Sequence, residues 1–111
     1  MLINFLKETE DFLREHHKKL NHIKFIRNAE GYIPISDFVA AAANFNYDNG
    51  YGTIDVDPTL KIVGKFWWAE RRTYDGKEWW AFYTKPKKPT VKAPDFVVRN
   101  PRHWSDDRGG E

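Results

Sequence analysis

The chain has 111 residues, 41% hydrophobic and 31% charged, with no cysteine. That length carries one modest hydrophobic core, and the absent thiols exclude disulfides, thiolate metal sites and cysteine nucleophiles. A net charge of +2 by itself implies no polyanionic partner.

The charge is unevenly placed. Residues 1–60 hold six Lys and Arg against nine Asp and Glu, 61–84 hold five against three, and 85–102 hold six against one, Asp95. An acidic body with a basic strap is a polarised molecule, and such polarity steers association with anionic partners. The apolar start Leu2-Ile3-Asn4-Phe5-Leu6 runs directly into Lys7-Glu8, too short for a signal-peptide core, and no stretch approaches a membrane span. The expected location is the bacterial cytoplasm.

Leu2, Phe5, Leu6, Thr9, Phe12, Leu13, His16 and Leu20 recur at helical spacing, which predicts a helix over about 2–20. Acidic residues at its start and Lys18 and Lys19 at its end match the helix dipole. Residues 23–27 read as a short strand ended by an Asn-Ala-Glu-Gly turn. Ser36 is a candidate N-cap for a short helix through Ala43. Residues 44–52 have loop composition, with aromatics that suggest packing. Thr53–Asp57 alternates as a strand would and is closed by Pro58.

Residues 60–85 are the organising segment. Asp75-Gly76 is a strong signal for a two-residue primed turn, where both positions need φ > 0. That turn sets Tyr74 opposite Lys77, Arg72 opposite Trp79, Arg71 opposite Trp80, Ala69 opposite Phe82 and Trp68 opposite Tyr83. Phe66, Trp68, Glu70, Arg72, Trp79, Ala81 and Tyr83 then share one face; Trp67, Ala69, Arg71, Thr73, Glu78, Trp80 and Phe82 share the other. Both faces are aromatic, so both are expected to need cover. The fold expected is α+β: a single small domain over 1–85, with two helices on an antiparallel or mixed sheet that contains the long hairpin. Residues 86–111 form an extended, partly docked basic tail, in which Asp95–Arg99 has the pattern of an edge strand.

Several clusters carry chemistry. Arg72 with Trp79, and Arg71 with Trp80, are guanidinium–indole pairs; ordinary cross-strand packing accounts for them, and so does a recognition surface, because Trp, Tyr and Arg dominate interface energetics. Arg71, Arg72, Tyr74, Trp79, Lys85, Lys87, Lys88 and Tyr51 are the candidate partner-binding residues. Lysines of the tail among Phe96 and Trp104 suit phosphates and stacked bases, without matching a named nucleic-acid module. Asn44, Asn46, Asp48 and Asp55 fall near a calcium-loop register, but Gly50 is one position late. His16, His17 and His22 lack the spacing of a zinc set. No metal or cofactor is expected. Asp55, Asp57, Glu70 and Glu78 are the carboxylates available to an acidic-site hydrolase, with no phosphate loop or nucleophile set beside them.

The run Ile62-Val63-Gly64-Lys65-Phe66-Trp67-Trp68-Ala69-Glu70-Arg71, followed by Tyr74-Asp75-Gly76-Lys77-Glu78-Trp79-Trp80-Ala81-Phe82, resembles a family of small proteins from phages and Firmicute genomes. Members share a Trp-Trp, Glu-Arg, Tyr-Asp-Gly, Glu-Trp-Trp element, and Asn46-Tyr47-Asp48-Asn49-Gly50-Tyr51-Gly52 fits the same pattern. The resemblance spans about 44–86 and brings no established activity. It implies a phage or mobile-element setting, where small cysteine-free proteins often act as stoichiometric inhibitors of host defence, as anti-CRISPR proteins do. The expectation is therefore a non-catalytic protein that binds a host defence nuclease complex. The alternatives are a nucleic-acid-binding accessory protein of phage replication or regulation and, third, the acidic-site hydrolase.

Overall fold

In the computed structural model, which describes residues 2–50, 52–86 and 88–92, a two-residue strand β1 (Ile3–Asn4) runs straight into helix α1 (Phe5–Glu15). Asn4 makes the junction. Its Oδ1 accepts the Lys7 N–H at 3.0 Å as an N-cap, while its Nδ2 donates to Ala43 O and Asn46 Oδ1, each at 3.0 Å. The helix stops earlier than its apolar spacing predicts. His17 takes φ 61°, and the Lys18 and His17 N–H groups bond back to Leu13 O and Arg14 O, a Schellman closure built on histidine in place of glycine.

After one 3₁₀ turn at Leu20–His22 come β2 (Ile23–Asn28), β3 (Gly31–Ile33), α2 (Ile35–Ala43), β4 (Asn46–Tyr47), β5 (Lys61–Gly64), β6 (Trp67–Tyr74) and β7 (Lys77–Thr84). Five strands form an antiparallel sheet in the order β3-β2-β5-β6-β7, and β1 pairs with β4 in a second, two-stranded sheet. The architecture is α+β, two helices packed on an antiparallel sheet. The Asp75-Gly76 turn forms with φ 52° and 82°, and every predicted cross-strand pair from Tyr74↔Lys77 to Trp68↔Tyr83 is present.

Three expectations are corrected. Thr53–Asp57 is a loop, because the Asp55 and Val56 N–H groups bond to the Glu78 carboxylate at 2.8 and 3.0 Å and not to a neighbouring strand. The segment before the Asp-Gly turn is two strands, since Lys65-Phe66 forms a turn between β5 and β6. Helix α2 begins after Pro34 and not after Ser36. The tail boundary at 85/86 falls just after β7; Asp95–Arg99 and the rest of 93–111 lie outside the described residues.

Among the described residues, both helices cover the same face of the sheet. Helix α1 lays Phe5, Thr9 and Leu13, spaced four apart, toward Ile26, Ile62, Trp67, Ala69 and Trp80 on that face, and all of these are buried. Phe5 stacks on Trp80 with centroids 5.9 Å apart and meets Phe38 of α2 edge-on at 5.7 Å. The Trp80 Nε1 donates to Thr9 Oγ1 at 3.0 Å, and Thr9 Oγ1 donates to Phe5 O at 2.8 Å, so the indole keeps a polar partner inside the core. Among the described residues no helix is long and apolar enough to cross a membrane.

Trp67 explains Gly64. Its indole lies against the glycine so closely that a Cβ there would stand 2.0 Å from Trp67 Cε2. Gly64→Ala should therefore force the buried indole to move and lower stability by about 1–3 kcal/mol. Urea unfolding checks this; an unchanged midpoint would mean that the ring does not occupy that space.

Candidate functional site

Strands β6 and β7 present opposite chemistry on their two faces. On the covered face the Arg71 side chain is 1% exposed, and its guanidinium lies 5.2 Å from the Phe5 ring centre and 5.0 Å from that of Trp80. Nη1 donates to Glu8 Oε2 at 3.3 Å; Nη2 donates to the Tyr47 hydroxyl at 2.9 Å and to Glu78 Oε1 at 3.2 Å. Tyr47 in turn donates its hydroxyl proton to Glu8 Oε1. Burial, and next the bond to Glu8, raise the Tyr47 phenol well above its ordinary value of 10.0. The cluster ties α1, β4, β6, β7 and the 55–56 loop to one cation. Arg71, expected at a recognition surface, is a core residue.

Among the described residues no element covers the other face. The register lines up Phe25, Val63, Trp68 and Tyr83 across β2, β5, β6 and β7, and Tyr32, Arg27, Lys61, Glu70 and Ala81 across all five strands. Trp68 stacks on Tyr83 at 5.5 Å. Arg72 lies 5.4 Å over the Tyr83 ring and donates from Nε to its hydroxyl at 2.7 Å, with a second bond from Nη2. The expected Arg72–Trp79 pair is in register, yet the guanidinium turns to the diagonal Tyr83, which offers an oxygen acceptor as well as a ring. That bond keeps Arg72 above its ordinary range. Glu70 accepts from Trp68 Nε1 at 2.8 Å and lies 3.6 Å from Lys61 Nζ.

Toward the Asp-Gly turn the face opens further. Trp79 is 40% exposed and Tyr74 75%. Trp79 reaches the outer edge of the sheet, where with Leu2, Asn4, Phe12 and Trp80 it borders a groove of about 630 Å³ between β7 and α1. Lys85 and Lys88 follow β7 and are exposed. Lys87 and Tyr51, also named from sequence, lie outside the described residues. Thus Arg72, Tyr74 and Trp79 share the open face, and Arg71 is separated from them by the sheet. Sequence reasoning missed Phe25, Tyr32, Arg27 and Lys61 on that face. Their only signal was alternation in short segments whose pairing partners it did not assign.

The four carboxylates of the hydrolase reading do not converge. Glu70 is on the open face, and Glu78 is buried beneath the covered one with both oxygens bound to Arg71, Asp55 N–H and Val56 N–H. Asp57 accepts from the Thr59 N–H and hydroxyl at 2.8 and 2.7 Å, bonds that hold it below the usual carboxylate range. Among the described residues no three His, Asp or Glu side chains gather as a metal site would need. His16 instead stacks on Phe82 at 4.1 Å, and His22 Nδ1 accepts the Lys19 N–H at 3.0 Å.

Two outcomes follow from the buried cluster. Arg71→Met leaves Glu8 and Glu78 without their cation and should cost about 3–5 kcal/mol, read as a large fall in denaturation midpoint; a loss under 1 kcal/mol would show that the carboxylates relax into water. Because the fold holds Tyr47 as a neutral phenol, unfolding releases a proton once the pH exceeds the ordinary tyrosine value of 10.0. Stability from this group is intact below that pH and declines as pH rises above it. Tyr47→Phe should flatten that alkaline decline in pH-dependent melting curves. Comparison of the chain with protein-family models, with curated proteins and with solved structures finds no match.

Proposed function

We propose that this is a non-catalytic binding protein that engages a protein partner through the open face of its sheet, at the end formed by Arg72, Tyr74 and Trp79. The observation that carries the reading is the asymmetry of the hairpin. Trp67 and Trp80 are spent on the core, whereas Trp79, Tyr74, Tyr32 and Phe25 are exposed on a face that no helix among the described residues covers. Tyr74 and Trp79 are diagonal neighbours on that face; adjacent exposed rings mark interaction surfaces, and Trp, Tyr and Arg supply most interface hot spots. The Arg72–Tyr83–Trp68 stack fixes its rings and guanidinium before a partner arrives, which lowers the ordering cost of association.

The kind of partner follows from the sequence resemblance over 44–86. In a phage or mobile-element setting, the role proposed is stoichiometric inhibition of a bacterial defence nuclease complex by protein–protein contact, in the manner of anti-CRISPR proteins.

Trp79→Ala tests the face. It should leave thermal stability within about 1 kcal/mol, since the ring is outside the core, and weaken partner binding by about 2 kcal/mol or more. The measurement is retention of a purified CRISPR effector complex on immobilised wild type and variant, with nuclease treatment and 0.5 M salt washes. Retention lost with Trp79→Ala and unaffected by nuclease supports the reading. Equal retention by both, none by wild type, or loss on nuclease treatment overturns it.

A further inference from the structure

The opposite end of the sheet has its own chemistry. At the Lys65-Phe66 turn, a groove of about 420 Å³ is bordered by Lys18, Lys65 and Lys85 together with Phe66, Trp67 and Thr84. The three lysines come from the end of the α1 segment, the β5–β6 turn and the end of β7, and among the described residues no carboxylate borders the groove with them. Lys18 Nζ stands 5.8 Å from the Trp67 ring and Lys65 Nζ 5.8 Å from that of Phe66. Phe66 has φ 66° and is 46% exposed. A bulky aromatic residue rarely takes the left-handed region, where Gly or Asn would turn the chain without strain. Backbone strain of this kind collects at functional positions, and here it sets a ring outward beside a cationic groove.

We propose that this groove binds the phosphate backbone of single-stranded nucleic acid, with one base stacked on Phe66. Three lysines converging on one groove suit phosphates, which they hold by charge and counterion release. An outward ring in the same groove suits an unpaired base, which offers a face that duplex DNA conceals. This site is separate from the Arg72–Trp79 end and does not depend on the protein-partner reading.

The test uses the full chain and a fluorescein-labelled 15-mer of dT, followed by anisotropy from 50 to 300 mM NaCl. Lys18→Ser with Lys65→Ser should weaken binding at least tenfold and reduce the salt slope by about 1.4, at roughly 0.7 per phosphate contact on a single strand. Lys88→Ser with Lys92→Ser, the charge-matched pair in the segment after β7, should cost less than threefold. Phe66→Gly should weaken binding fivefold or more while the melting temperature holds or rises, because glycine accepts the left-handed backbone. That opposite movement separates a base platform from a structural ring. The proposal fails if wild type does not bind at 50 mM salt, if the tail pair costs as much as the groove pair, or if Phe66→Gly binds as tightly as wild type.

Discussion

The structure depends on burying one arginine. A guanidinium taken out of water pays a desolvation cost of several kcal/mol, and here it is offset from every side. Glu8 comes from the first turn of α1, Glu78 from β7, the Tyr47 hydroxyl from β4, and two aromatic faces from Phe5 and Trp80. One nitrogen, Arg71 Nε, is buried with no hydrogen-bond partner, so the site is strongly but not completely satisfied. Because the partners come from distant segments, the cation specifies tertiary geometry that apolar packing alone would leave looser. Glu78 extends the constraint: its oxygens hold the Asp55 and Val56 N–H groups, which ties that loop to β7.

The consequence for function lies in the alternation of β6 and β7. Whatever sets Arg71 and Trp80 inward must set Arg72 and Trp79 outward. The inward set is held by ion pairs, stacking and the Trp80–Thr9 bond. The strands that display the outward residues are thereby anchored from their inner side. This division answers the puzzle of an aromatic-rich hairpin in so small a domain: Trp67, Trp80 and Phe82 pack toward the core, and Trp68, Tyr74, Trp79 and Tyr83 stand on the opposite face.

What the sequence made legible was local. Asp75-Gly76 has one low-strain turn geometry, so the β6–β7 register could be written down residue by residue, and the three- and four-residue spacing of Phe5, Thr9, Phe12 and Leu13 placed α1. The misses share one cause, long-range polar pairing. Thr53–Asp57 alternates like a strand, yet its N–H groups go to a carboxylate 22 and 23 residues away. Arg71 and Arg72 are adjacent and chemically identical, and only the placement of α1 decides which is buried. The Lys65-Phe66 turn carries none of the usual turn residues, so no propensity argument finds it. The open face was half visible, since β6 and β7 were paired correctly while β2, β3 and β5 required a sheet order that alternation does not supply.

That unsigned turn bears on how the molecule divides its work. A glycine at 66 would take the left-handed position with less strain, as Gly76 does between β6 and β7. The chain instead keeps a lysine and a half-exposed phenylalanine there, against Gly64, which must be small because the Trp67 indole lies on it. The glycine is therefore spent on core packing and is not available to the turn, and the strain falls on Phe66. At the other end of the sheet the glycine serves the turn, and the aromatic residues beside it are free to face outward. The two ends thus differ in where their glycine sits. One end displays Arg72, Tyr74 and Trp79 on a relaxed hairpin; the other displays Phe66 among lysines on a strained one.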